Sequence, residues 1–132
     1  FALQAPGRAL ERLFERLYPI NRERPRGHGP ALGRYEGDVY FSGGAYYFST
    51  LGAAEFCFLA AAAHALGSDQ RRAWLARGDA FLETVRAFTP ASGDLSEQFD
   101  QRTGEQTSAK HLAWSYAGFI SCVTARRAVV AQ

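Results

Sequence analysis

Methionine is absent from this sequence, which opens at Phe1. With no initiator residue there, we expect a processed product or a segment of a longer chain. Cysteine is scarce too. Cys57 and Cys122 both sit in apolar helical patterns, where a buried free thiol is the default and one disulfide stays open. His28, His64 and His111 are far apart and form no ligand motif such as His-Glu-x-x-His, so no metal site is expected. Charge of one sign is also lacking. The net charge of +2 is too small to imply a nucleic-acid partner without a localised patch. The densest basic stretch, Arg22, Arg24 and Arg26, is interleaved with Pro25 and Gly27 and reads as a solvated loop. At 47% hydrophobic and 21% charged residues, the chain is not a disordered one. Its 132 residues suffice for one domain with a sizeable core. No signal-peptide pattern is legible in it.

What is present is mostly helical periodicity. In Arg8–Tyr18, Leu10, Leu13, Phe14 and Leu17 recur at helical spacing, opposite Arg8, Glu11, Arg12, Glu15 and Arg16. Pro19 should end that helix. Residues 19–33 read as an irregular connector, because Pro25 and Pro30 forbid a regular helix interior. Arg34–Phe41 fits a short extended segment entering a turn at Ser42-Gly43-Gly44.

Ala45–Leu66 is the one long apolar run. Between Val39 and Gly67 its only formal charge is Glu55. At ~1.5 Å per residue it would be about 30 Å long, near membrane-spanning length. A central glutamate, the run Ala60–Ala63 and no aromatic belt favour a buried helix in a globular protein, so no membrane is expected. Gly67 is placed to cap it. Ser68 should cap the next helix, with Trp74, Phe81 and Val85 inward and Arg71, Arg72, Arg77, Asp79, Glu83 and Arg86 outward. Thr89-Pro90 stops it. A last helix, capped by Thr107 or Ser108, should run from about Ala109 to Val129 and be mostly buried. Amphipathic and apolar helices thus alternate, which suits an all-α, two-layer α/α assembly with inner apolar and outer amphipathic helices. So few helices cannot close such a ring, and this chain alone should expose apolar surface.

Residues 89–107 stand apart as a candidate site loop. Gly93–Thr107 gathers Asp94, Glu97, Asp100 and Glu105 with Arg102 as its only base, while Leu95 and Phe99 give it apolar anchors. An acid held there could be a general base, a ligand or a solvated charge.

Three stretches carry a resemblance. Gly33-Arg34-Tyr35-Glu36-Gly37-Asp38-Val39-Tyr40, continuing to Gly43, resembles the Gly-Arg-Tyr-Pro-Glu-Asp-x-Tyr-Tyr-x-Gly segment of glucoamylases, the family 15 glycoside hydrolases. Thr50-Leu51-Gly52-Ala53-Ala54-Glu55 resembles that family's Thr-Leu-Ala-Ala-Ala-Glu. Ser96-Glu97-Gln98-Phe99-Asp100, Gly104-Glu105-Gln106, Ser108-Ala109 and Leu112-Ala113-Trp114-Ser115-Tyr116-Ala117 are similar to its Ser-Glu-Gln-Tyr-Asp, Gly-Glu-Gln-x-Ser-Ala and Leu-Thr-Trp-Ser-Tyr-Ala. The likeness runs in order from Tyr18 onward. It implies the C-terminal part of an (α/α)6 barrel that hydrolyses α-1,4-glucans from the non-reducing end and releases β-glucose with inversion. No cofactor is implied. The implied partners are an α-glucan or malto-oligosaccharide and the remainder of the catalytic domain. The family is often exported, which leaves compartment open between secreted, periplasmic and cytoplasmic.

Residue by residue, the resemblance implies Glu97 as general base, Ser108 as the hydroxyl orienting it, and Gln98 as an aid in placing water. It implies that Arg34 binds glucose hydroxyls, with Trp114 beside the same subsite and Asp38 and Tyr40 on its wall. A family tryptophan near an outer subsite falls on Tyr46. Each has a plainer reading: a loop acid for Glu97, a helix cap for Ser108, a surface arginine for Arg34, a core ring for Trp114. The family's Pro-Glu is Glu36-Gly37 here, which leaves linkage preference open. α-1,6-Glucosidase, dextran-directed or trehalase activity, or a non-catalytic carbohydrate-binding module keeping the fold, stand as alternatives. The general acid has no counterpart in this chain.

Overall fold

The structure is a computed structural model that describes residues 4–131. Along the chain come α1 (Gln4–Leu17), α2 (Pro19–Arg22), a 3-10 turn (Tyr40–Gly43), β1 (Ala45–Tyr46), α3 (Tyr47–Ala62), α4 (Asp69–Ala87), β2 (Gln98–Phe99), β3 (Gln106–Thr107) and α5 (Ala113–Val130). The described residues are therefore mostly helical, as the sequence pattern predicts, with one small sheet in addition. No described helix is long and apolar enough to cross a membrane.

α1 buries Phe14 completely and keeps its arginines outside. α1 ends at Leu17, just before Pro19 as expected, and Pro19 in turn opens the short α2. A first-turn N–H has no helical partner in any case, so proline loses nothing there. The connector is irregular yet closely tied. The Asn21 amide donates to Phe14 O (3.0 Å) and Ala31 O (2.9 Å), and its Oδ1 accepts from Ala31 N (2.7 Å). Thr50 Oγ1 accepts from Leu32 N and donates to Tyr46 O, both at 3.0 Å. Arg24 is not a solvated loop charge: it donates to His28 O and Asn21 O and pairs with Glu15.

α3 is central and packs on both α4 and α5. Leu51, Ala54, Cys57, Phe58 and Ala61 are buried, whereas Phe56 and Leu59 on its outer side are exposed. Ser68 caps α4 by accepting from Arg71 N at 3.2 Å. Arg71 itself, expected outward, is buried. It donates to His64 O (3.2 Å) and Val129 O (2.9 Å), carbonyls at the C-terminal ends of α3 and α5 that lack helical donors. Arg77 with Glu11, and Arg126 with Asp79, bridge α4 to α1 and α5. Cys57 and Cys122 are free, so no disulfide forms between them, and burial pushes both thiols up to about 12.

Gly78 lets α4 approach the Phe58 ring of α3 closely. A Cβ there would lie 2.8 Å from Phe58 Cδ1 and Cζ, and nearer to Cε1. Phe58 is fully buried and cannot swing aside. Gly78→Ala is therefore expected to destabilise by roughly 1–3 kcal/mol, despite alanine's better helix propensity, as read by urea unfolding.

Three expectations about the C-terminal third are corrected. Residues 93–107 are not wholly irregular: β2 and β3 form a hairpin joined by a turn. Asp100 Oδ1 accepts from Arg102 N (2.7 Å) and Thr103 N (2.9 Å) there, and Gly104 (φ +75°) lies over the Phe88 ring. α5 starts at Ala113, not Ala109, and Leu112 precedes it without a side-chain cap, so neither Thr107 nor Ser108 caps it. Nor is α5 mostly buried in this chain: Trp114, Phe119, Ile120 and Val130 are exposed. An inner apolar helix covered on one side by α3 has nothing on its other side among the described residues.

Candidate active site

The sheet builds the site by register. β1 pairs antiparallel with β2 (Ala45 with Phe99, Tyr46 with Gln98), and β2 with β3 (Gln98 with Thr107, Phe99 with Gln106). One step along the same register sets Glu97 between Tyr47 and Ser108. Tyr47 N donates to Glu97 O (3.4 Å), and Glu97 N donates to Ala109 O (2.8 Å). The Ser108 hydroxyl donates to Glu97 Oε2. Ser108 holds φ +66°, a left-handed conformation that costs a non-glycine residue energy. Strained residues of this kind cluster where the surroundings demand a particular side-chain direction, and here that direction is the carboxylate. Glu97 is half-buried, with the buried Ser96 and Gln98 on either side.

The pleat explains what happens to Gln98. Adjacent strand residues face opposite sides, so if Glu97 points toward the rim, Gln98 points inward. Gln98 is fully buried and its Nε2 donates to the Tyr46 hydroxyl at 3.0 Å. This arrangement does not favour a direct part in placing water.

Arg34 and Asp38 form a two-pronged pair: Nε to Oδ2 at 2.8 Å and Nη2 to Oδ1 at 2.9 Å. Tyr40 N adds a third bond to Asp38 Oδ1 (3.0 Å). The Asp38 side chain is only 3% exposed, against 36% for Arg34. The Arg34 guanidinium holds the Asp38 carboxyl below the usual range, with help from the Tyr40 N–H and against burial. A depressed carboxyl stabilises the fold above the ordinary carboxylate range, and that contribution is lost as pH falls through the lower folded value. The melting-temperature deficit of Asp38→Asn against the parent should therefore be full at pH 6 and shrink below about pH 4.

Tyr46 is completely buried, which does not favour the expected outer-subsite contact. Its ring lies beneath the Arg34 guanidinium, 4.8 Å from ring centre to Cζ. Burial first, and Asp38 next, push its phenol up to about 12, with Arg34 opposing and Glu97 adding to the rise. Tyr46 thus lies within electrostatic reach of Arg34, Asp38, Tyr40 and Glu97 together. Tyr40 is exposed beside Arg34, 5.5 Å from its Cζ.

Trp114 is not a core ring: 62% exposed, it stacks on Phe48 at 4.6 Å and 5°. Phe48 and Asn21 went unnoticed in the sequence, and Thr50 was read only as a motif position. Nothing in composition or spacing marks the Phe48–Trp114 stack, whose rings lie far apart along the chain, or the Asn21 bonds across an irregular connector. The molecule's apolar grooves lie elsewhere. One of about 390 Å³ is lined by Leu10, Phe56 and Trp74, and another of about 640 Å³ by Leu82, Tyr116 and Phe119. The candidate residues form an open wall at the end where α3 and α5 begin. Among the described residues no group of three or more His, Cys, Asp or Glu could hold a metal ion.

Helices in an α/α arrangement, with polar side chains gathered at the end where two of them start, are what one part of an (α/α)6 barrel presents. Residues 7–124 match the model of the glycosyl hydrolases family 15, and the chain belongs to that family. It is 34% identical to glucoamylase P of Amorphotheca resinae over 92% of this chain and 25% of that one. It is 30% identical to the glucoamylase of Neurospora crassa over 87% and 24%. Among solved structures it resembles the glucoamylase of Hormoconis resinae, with a TM-score of 0.80 at 30% identity over 91% of this chain and 26% of that one. The chain thus spans about a quarter of the length of these relatives.

Proposed function

We propose that this chain carries the base-bearing part of an exo-acting, inverting α-glucan hydrolase that releases β-D-glucose from the non-reducing ends of starch-like oligosaccharides. The observation that carries it is the Glu97 carboxylate held by the Ser108 hydroxyl, with Tyr46, the ring beneath the Asp38-paired Arg34, in electrostatic reach of it. A carboxylate that must remove a proton from water needs a fixed direction and access to solvent. Half-burial and one hydroxyl donor supply both. In this reading Glu97 takes a proton from a water as its oxygen attacks the anomeric carbon. The bond from that carbon to the glycosidic oxygen breaks, and a second carboxylic acid protonates the leaving oxygen from the other ring face, ~6.5–9.5 Å away. The remainder of the catalytic domain supplies that acid. Asp38 occupies Nε and Nη2 of Arg34, so the Nη1 edge meets sugar hydroxyls, and the open face of Trp114 packs on the sugar's C–H surface.

The test is the anomer. A complete catalytic domain carrying this segment should release glucose from maltotriose as the β-anomer, seen by proton NMR before mutarotation, while the isolated chain releases none. Initial α-glucose would reject inversion. Normal turnover by the isolated chain would reject the divided site. Relative rates on maltose, isomaltose and trehalose separate the α-1,4 reading from its neighbours.

A further inference from the structure

We propose that Phe48 is a positioning residue of the candidate glucose subsite: it fixes the plane of the Trp114 indole and ties that ring, through Tyr46, to Arg34. The inference rests on the reading that Arg34 and Trp114 meet the sugar.

Phe48 is the second residue of α3 and Trp114 the second residue of α5, so the two rings stand where both helices begin. α5 approaches α3 closely there: a Cβ on Gly118, one turn beyond Trp114, would lie 3.7 Å from Phe48 Cα. The rings are parallel within 5° at 4.6 Å, inside the range that aromatic pairs favour. An exposed indole without such a partner would sample several rotamers. Here one of its faces is covered by Phe48 and the other is left to solvent.

Phe48 is itself held. It is half-buried and meets Tyr46 edge to face at 5.1 Å and 62°. Tyr46 is fixed in turn by the Gln98 amide and by the guanidinium above it. Three rings and one cation thus make a continuous column, with a hydroxyl-binding cation at one end and an open aromatic face at the other. A pyranose has the same two-sided chemistry: hydroxyls around its edge and an apolar C–H face. The column sets the distance between the groups that would read each side, and Phe48 is the link whose removal would separate them.

The experiment uses a complete catalytic domain with Phe48→Ala, Phe48→Leu, Phe48→Tyr, Trp114→Ala and the Phe48→Ala/Trp114→Ala double variant. KM and kcat on maltotriose are measured with the melting temperature. Phe48→Ala is expected to raise KM about two- to tenfold, the span of one aromatic pair, with a smaller change in kcat. Phe48→Tyr should restore KM and Phe48→Leu should not. The double variant should be no worse than Trp114→Ala. Equal rescue by leucine and tyrosine would reduce Phe48 to a space-filler and overturn the proposal, as would additive effects in the double variant. If Phe48→Ala does not fold, the contrast of leucine and tyrosine still decides. Parental KM in Phe48→Ala beside raised KM in Trp114→Ala overturns the role of Phe48 alone. Parental KM in Trp114→Ala overturns the subsite reading and this inference with it.

Discussion

Glu97→Gln in a complete catalytic domain should lower kcat on maltotriose by about two to four orders of magnitude, the range general-base catalysis contributes. KM should change little, since an amide occupies nearly the same volume and can still accept from Ser108. The folded state should survive for a structural reason. Glu97 is held in the sheet by its backbone, through Ala109 O and Tyr47 N, and these bonds are indifferent to the side chain. What the amide lacks is a lone pair basic enough to take the water's proton. The paired measurements are kcat by glucose release and the thermal midpoint. An unchanged kcat removes Glu97 from the role. A lost kcat with a collapsed midpoint would point to structure instead of chemistry.

How much of this wall could be read in the sequence depended on whether the relevant force is local. Glu97, Ser108, Arg34 and Asp38 stand in linked motifs, and the Arg34–Asp38 pair joins residues four apart. Tyr46 and Gln98 were legible as motif positions but not as buried ones. Their orientation is set by the β1–β2 register, and those strands are too short to show an alternating pattern. For the same reason the hairpin of β2 and β3 looks like a loop. Ser108 resembles a helix cap from its place before an apolar run, but its left-handed backbone turns its hydroxyl to Glu97, and the helix begins five residues later. Arg71 reads as surface because arginine usually is. Only the meeting of two helix C-termini gives its charge buried partners. The helical layers were the most legible part, because 3.6-residue periodicity is long-range within one segment and needs no knowledge of neighbours.

Arg34→Lys should lower kcat/KM on maltotriose by about ten- to a hundredfold, as expected for loss of charge-assisted hydrogen bonds. Charge alone is preserved, so the size of the effect measures geometry. A guanidinium spends two donors on Asp38 and keeps an edge for the sugar, while its flat face rests over Tyr46. An ammonium is a point donor. If it pairs with Asp38 it cannot reach outward in the same direction, and if it reaches outward it leaves a nearly buried carboxylate short of partners. Either choice also uncovers the Tyr46 ring and loosens the column below it. Most of the loss should fall on KM if Arg34 grips ground state and transition state alike. A share in kcat would mean that its bonds tighten as the ring flattens. A kcat/KM within threefold of the parent would show that a cation without a fork suffices. Arg34 would then be a structural partner of Asp38, and the sugar would have to be held by other groups on the wall.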